Sequence, residues 1–149
     1  NACLLAVERY TKPGDTVADI GTGSGILGIA AAKSGATVDI CDTDIVAVND
    51  AIKNFEVNNE KVNRYWEGSA NTSKNTYDLV IANIVADVLV MIAKDLKNIT
   101  KENGIIILSG IMDQHKEKVV KKFKDCEILE EIQQNEWVTL IVKKVNNEQ

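Results

Sequence analysis

The chain is 149 residues long, 45% hydrophobic and 26% charged, the size and balance of one domain with a core of its own. Its net charge of −5 argues against broad binding to polyanions, which rests on clustered Lys and Arg, and no apolar run approaches the roughly 20 residues of a membrane span. Three cysteines without a CxxC pair exclude a disulfide framework, a single histidine argues against a Cys/His zinc site, and no metal is expected; the thiols read as reduced groups of a cytoplasmic protein.

Ala2 to Tyr10 has helical spacing, and Pro13-Gly14-Asp15 breaks it as a turn. Thr16 to Ile20 is a short apolar strand that runs into Gly21-Thr22-Gly23-Ser24-Gly25. Ile26 to Lys33, rich in Ile, Leu and Ala, is a helix closed by Gly35. Thr37 to Cys41 is the second strand and ends at Asp42-Thr43-Asp44. The second helix, Ile45 to Asn58, follows with Asp44 as its N-cap. Val62 to Trp66 is a third strand leading into Glu67-Gly68-Ser69 and a polar loop over Asn71 to Thr76. Tyr77 to Asn83 is nearly continuous in its apolar character, as a central strand covered on both faces should be. A helical stripe runs from Ile84 to Ile99. Glu102-Asn103-Gly104 then turns into the strand Ile105 to Leu108, which ends at Ser109-Gly110. Asp113 to Phe123 is a charged surface helix holding the one basic cluster. Glu127 to Gln133 and Trp137 to Lys143, split by Gln134-Asn135-Glu136, form a closing antiparallel hairpin. This alternation predicts an α/β domain: a Rossmann-like, seven-stranded, mostly parallel sheet with helices on both faces and a C-terminal antiparallel hairpin.

In such a sheet, ligands lie across the carboxyl ends of the strands. The residues just past those ends are Asp19 to Gly25, Asp42 to Asp44, Glu67 to Ser69, Asn83 and Ser109-Gly110, so the candidate cofactor-binding residues are Asp19, Gly21, Gly23, Gly25, Asp42, Asp44, Gly68, Ser69 and Asn83. Asp42 stands 21 residues after Gly21, where an acid can accept both hydroxyls of a ribose; Asp44 serves equally as a cap. The glycine spacing chooses among cofactors. A dinucleotide site of the GxGxxG type needs a third glycine where this chain has Ile26, whereas here the glycines fall at 21, 23 and 25 behind an acid.

A GxGxG loop preceded by an acid resembles the cofactor loop of class I S-adenosylmethionine-dependent methyltransferases. Gly23 to Ala31, Asp42-Thr43-Asp44 with Ala47-Val48, Ala82-Asn83-Ile84-Val85-Ala86, Leu108-Ser109-Gly110-Ile111 and Glu136-Trp137-Val138 together resemble the catalytic domain of the ribosomal protein L11 methyltransferases, from Cys3 to Lys144. The resemblance implies S-adenosylmethionine as cofactor, with Gly21 and Asp42 in contact with it. It implies Asn83 as the catalytic residue, set where the substrate amine meets the methyl group. It also implies a monomeric enzyme that methylates amino groups (lysine side chain, N-terminal α-amine, or both) of a large-subunit ribosomal protein, L11, with no direct contact to nucleic acid or membrane. Ile45 stands where the family usually has proline. Residues 1–149 are expected to be the methyltransferase domain alone, without the family's N-terminal substrate-recognition domain and without the Gly/His/Thr-rich segment whose threonine also touches the cofactor. Another class I methyltransferase with a different substrate, or a non-catalytic cofactor-binding module, are the alternatives; a nicotinamide dehydrogenase is disfavoured by Ile26. No His or Cys at the strand ends reads as a dedicated base, and His115 falls on the charged helix.

Overall fold

The structure, a computed structural model, describes residues 1–145. Helix α1 (Ala2–Tyr10) leads into β1 (Thr16–Ile20), α2 (Ile26–Lys33), β2 (Thr37–Asp42), α3 (Ile45–Val57), β3 (Arg64–Glu67), β4 (Tyr77–Asn83), α4 (Ala86–Asn98), β5 (Thr100–Met112), α5 (Lys116–Lys122), β6 (Glu127–Gln134) and β7 (Trp137–Lys143). The seven strands form one sheet in the order β3-β2-β1-β4-β5-β7-β6. The first five are parallel, and β7 is antiparallel to both its neighbours. The expected Rossmann-like architecture and closing hairpin are therefore present.

Period-2 alternation divides the sheet into two faces. Val17, Val38, Ile40, Leu79, Ile81 and Ile107 pack on α1, α2 and α3 through Val7, Ile29, Ala51 and Phe55. Ala18, Ile20, Val80, Ala82, Ile106 and Leu108 pack on α4 and α5 through Leu89, Leu96, Val119 and Phe123. Strand β4 lies between β1 and β5 and is covered on both sides, as its apolar run requires.

The chain leaves β1 toward β2 and β3, then crosses to β4 and β5 on the other side of β1. The switch point thus falls between the carboxyl ends of β1 and β4, where Gly21 and Asn83 emerge.

Several boundaries differ from expectation for local reasons. Helix α4 starts at Ala86, not Ile84, because the Ile84 amide continues the strand pattern by donating to the Ser109 carbonyl (3.1 Å) and Val85 is extended. Strand β3 spans Arg64–Glu67 because Asn63 turns aside, its side chain donating to Asp39. The polar loop after it contains a 3-10 turn, Ala70–Thr72. Strand β5 extends back to Thr100 because backbone bonds to Lys144 hold Asn103 and Gly104 in the sheet; the expected turn survives as a kink with Asn103 at φ +66. The charged helix is split into a 3-10 turn, Asp113–His115, and α5.

Candidate functional site

The glycine loop is built from its backbone outward. Gly21, Gly23 and Gly25 all have positive φ (+71, +56 and +85), which an L side chain rarely adopts. Their surroundings differ. A Cβ on Gly25 would stand 3.0 Å from the Ala51 Cβ, and one on Gly21 would stand 3.1 Å from the Ile84 side chain, so these two glycines are packed. A Cβ on Gly23 would meet nothing within 4 Å. Gly23 is thus the half-buried crest of the loop with open space over its α-carbon, where a ligand can lie against bare backbone.

Two acids hold this shape. Asp19 is 1% exposed, and its Oδ2 accepts from Thr22 Oγ1 (2.8 Å) and from the Gly28 amide (3.1 Å). A Cβ on Gly28 would stand 3.2 Å from that same oxygen and 3.0 Å from the Phe55 ring. Close packing of helix on strand is therefore supplied by Gly28. Gly23, Gly25 and Gly28 therefore also read GxGxxG, with Gly28 in the role of the third glycine, so Ile26, 60% exposed and outside this packing, does not separate the two cofactor classes as its position in the sequence suggests. Burial pushes the Asp19 carboxyl up to about 6, against the two hydrogen bonds that favour its charged form. Asp42 Oδ2 accepts from the Gly23 amide (3.0 Å) and Oδ1 from the Asp44 amide (3.0 Å). Each of its oxygens keeps a second lone pair for a ligand. Asp44 caps α3 through the Val46 amide (2.9 Å).

The other candidates join this line on both sides. The Gly68 amide donates to the Asp42 carbonyl (2.8 Å), which ties the end of β3 to the end of β2. The Ser69 carbonyl accepts from Trp66 Nε1 (3.1 Å) and Thr72 Oγ1 (2.7 Å), while its hydroxyl bonds to no described residue. On the β4 side, the Ile84 side chain packs on Gly21, and Asn83 precedes it. From Gly68 through Asp42 and the glycine loop to Asn83, the candidate residues form one continuous edge. Among the described residues no ion pair involves Asp19, Asp42 or Asp44, so that edge is negative.

Asn83 is exposed, and a shift in the β5–β7 register between Leu108 and Ile111 brings Gly110 against it. Gly110 has φ +78, and the place its Cβ would take lies 2.9 Å from Asn83 Oδ1 and 3.0 Å from the Ile84 carbonyl oxygen. Two carbonyl oxygens therefore converge over Gly110, and neither accepts a hydrogen bond from any described residue. Asn83 and Gly110 line a cavity of about 340 Å³ whose other walls include Cys3, Trp137 and Thr139.

Most of these wall residues were not in the sequence-based set. The amino end of α1 and the start of β7 reach the site only through long-range packing, for which a sequence carries no local signal. Gly28 was legible in principle, as a glycine inside a helix that follows a buried acid. Cys3 sits at the site, but burial holds its thiol up to about 11, so it is protonated at neutral pH. His115 lies in the 3-10 turn before α5 and does not line this cavity.

A parallel sheet of this order, with an alternating-glycine loop, an acid at the end of β2 and an asparagine at the end of β4, defines a Rossmann-like methyltransferase domain. The chain belongs to the ribosomal protein L11 methyltransferase (PrmA) family, whose sequence model matches residues 1–145. It is 55% identical to a ribosomal protein L11 methyltransferase of a Nitratiruptor species over 141 residues, 95% of this chain and 50% of that protein. The chain thus spans about half the length of the curated relative it matches. Among solved structures, a ribosomal protein L11 methylase from Lactobacillus delbrueckii subsp. bulgaricus superposes with a TM-score of 0.92 at 29% identity, covering 97% of this chain and 77% of that one. A 16S rRNA methyltransferase from T. thermophilus, solved in complex with AdoMet and guanosine, shares the fold alone: TM-score 0.76, 22% identity, 95% of this chain and 42% of that one.

Proposed function

We propose that the chain is the methyl-transferring domain of an S-adenosylmethionine-dependent protein N-methyltransferase whose substrate is ribosomal protein L11, modified at a lysine side chain, its N-terminal α-amine, or both. One observation carries this reading. A glycine loop lined by acids without cationic partners runs directly into two uncommitted carbonyl oxygens, Asn83 Oδ1 and the Ile84 carbonyl. An acidic edge suits a cationic sulfonium cofactor with a ribose and an ammonium group, and repels the pyrophosphate of a dinucleotide.

Bound along that edge, S-adenosylmethionine supplies an electrophilic methyl group whose sulfur departs as a neutral thioether. The residues of the chain bind and orient. Asp42 accepts the ribose hydroxyls on its free lone pairs, with Gly68 and Ser69 beside it. Gly21, Gly23 and Gly25 give the backbone close approach, Asp44 fixes the start of α3, and Asp19 sets the loop with its charge near the ammonium end. Asn83 Oδ1 and the Ile84 carbonyl take two hydrogen bonds from the amine nitrogen, which leaves its lone pair free for in-line attack. A lysine at pKa ~10.4 must first lose a proton, more so than an α-amine at roughly 8. With the Cys3 thiol protonated, that proton passes to solvent, and no side chain serves as an essential base.

The free thiols of Cys3, Cys41 and Cys126 accord with the reducing cytoplasm, and we take the enzyme to work there as a monomer. Recognition of the ribosomal protein is assigned to the part of the relatives that this chain does not span. The test is methyl transfer from labelled S-adenosylmethionine to purified L11 with Asn83→Ala, made in a protein that carries this domain together with the part of the relatives that recognises L11. The expected result is loss of turnover by about 10²-fold or more, with affinity for S-adenosylhomocysteine unchanged. Full turnover with normal cofactor affinity refutes the role of Asn83.

A further inference from the structure

The crest of the glycine loop is tethered at the rear by a residue outside the cofactor-contact set. Asn54, on the third turn of α3, donates from Nδ2 to the Ser24 carbonyl at 2.8 Å. Ser24 makes no other hydrogen bond among the described residues, and it lies between two glycines of positive φ that contribute no side chain to hold it. Its neighbours are fixed from different directions: the Gly23 amide by Asp42 at 3.0 Å, and Gly25 by contact with Ala51 and Phe55 and by its amide, which donates to the Thr22 carbonyl at 2.9 Å, so that Asn54 holds the carbonyl side of the Ser24–Gly25 peptide and Thr22 the amide side. Ala51, Asn54 and Phe55 are spaced i, i+3 and i+4 on α3, so one helix face carries the whole rear support. Asp44 caps the same helix beside Asp42, so α3 joins the ribose end of the site to the loop crest.

We infer that Asn54 is a positioning residue for the cofactor: by holding the Ser24 carbonyl it fixes the peptide between Ser24 and Gly25 and keeps the Gly23 crest in its binding shape. It touches no reacting atom. This rests on the reading that the glycine loop holds S-adenosylmethionine. Asn54 is only half-buried, at the margin of the core, so its removal leaves the packing of Ala51 and Phe55 in place and the fold intact.

The experiment is calorimetric titration of the chain with S-adenosylhomocysteine, with thermal unfolding of each variant. Asn54→Ala weakens binding about fivefold and lowers the melting temperature by no more than the few degrees that one hydrogen bond is worth, with unfolding still cooperative. Asn54→Asp weakens it further, because a carboxylate cannot donate and faces the Ser24 carbonyl. Lys94→Ala, on the exposed side of α4, a helix that packs on the other face of the sheet, removes a side chain that makes no hydrogen bond or ion pair among the described residues, and binds as the parent does. Parent-like affinity in both Asn54 variants overturns the inference, whatever happens to their melting temperatures. No binding by the unaltered chain would instead overturn the cofactor reading on which it rests.

Discussion

Replacing Asp19 by asparagine should stabilise the protein at neutral pH and leave it nearly unchanged in acid. Asp19 is buried, and its Oδ2 already accepts from Thr22 and Gly28, so an asparagine oxygen in the same place keeps both bonds. What disappears is the cost of a buried negative charge. Burial raises the carboxyl from 3.8 to about 6, which corresponds to roughly 3 kcal/mol once the group is ionised in both states. The sign follows from proton counting. Between pH 4 and 6 the folded state holds a proton that the unfolded state has released, so stability falls as pH rises through this window and levels off above it. Asp19→Asn lacks this slope. Its margin over the parent should widen by about 2 kcal/mol between pH 4.5 and 7.5 in urea unfolding of the cofactor-free chain. Parallel stability curves, or a margin that narrows with pH, would show that Asp19 does not carry a buried charge. On the proposed placement of the cofactor's ammonium group near Asp19, the same variant should also bind S-adenosylhomocysteine more weakly at pH 7.5; destabilising charge at a binding site is a familiar trade of stability for function.

Two further outcomes follow from the site. Asp42→Ala removes the proposed ribose acceptor and frees the Gly23 amide together, so affinity for S-adenosylhomocysteine measured by calorimetry should fall by about 10² or more. At Gly110 two substitutions separate strain from contact: alanine brings a Cβ and an unfavourable φ, whereas asparagine brings the Cβ but tolerates the left-handed region. Both should lower methyl transfer to L11 alike with cofactor affinity intact, while recovery of turnover in Gly110→Asn alone would mean that backbone strain, not displacement of Asn83, is responsible.

Much of this was legible in the sequence because it is locally encoded. The apolar runs Thr16 to Ile20 and Tyr77 to Asn83 specify strands, the 3.6-residue stripe from Ile84 to Ile99 specifies a helix, and the glycines and acids mark the carboxyl ends where a parallel sheet gathers them. The Asn135-Glu136 turn, with Asn135 at φ +57, closes the expected hairpin. What was not legible depends on partners far along the chain. Asp39, inside β2, is buried because Tyr77 OH (2.6 Å), Asn63 Nδ2 and the Arg64 amide all reach it; in sequence it is only a charge in a strand. The length of β5 depends on Lys144, 44 residues beyond Thr100. Cys3 and Trp137 share a wall with Asn83 only because α1 and β7 pack at the same end of the sheet.

The central claim is that the edge from Gly68 to Asn83 holds the ribose and amino-acid ends of S-adenosylmethionine, which its product S-adenosylhomocysteine shares, and not a dinucleotide. It is tested most directly by titrating the chain with S-adenosylhomocysteine and, separately, with NAD. Saturable one-to-one binding of S-adenosylhomocysteine, and none of NAD at the same concentrations, is the predicted result. Binding of NAD, or no binding of S-adenosylhomocysteine, would contradict it.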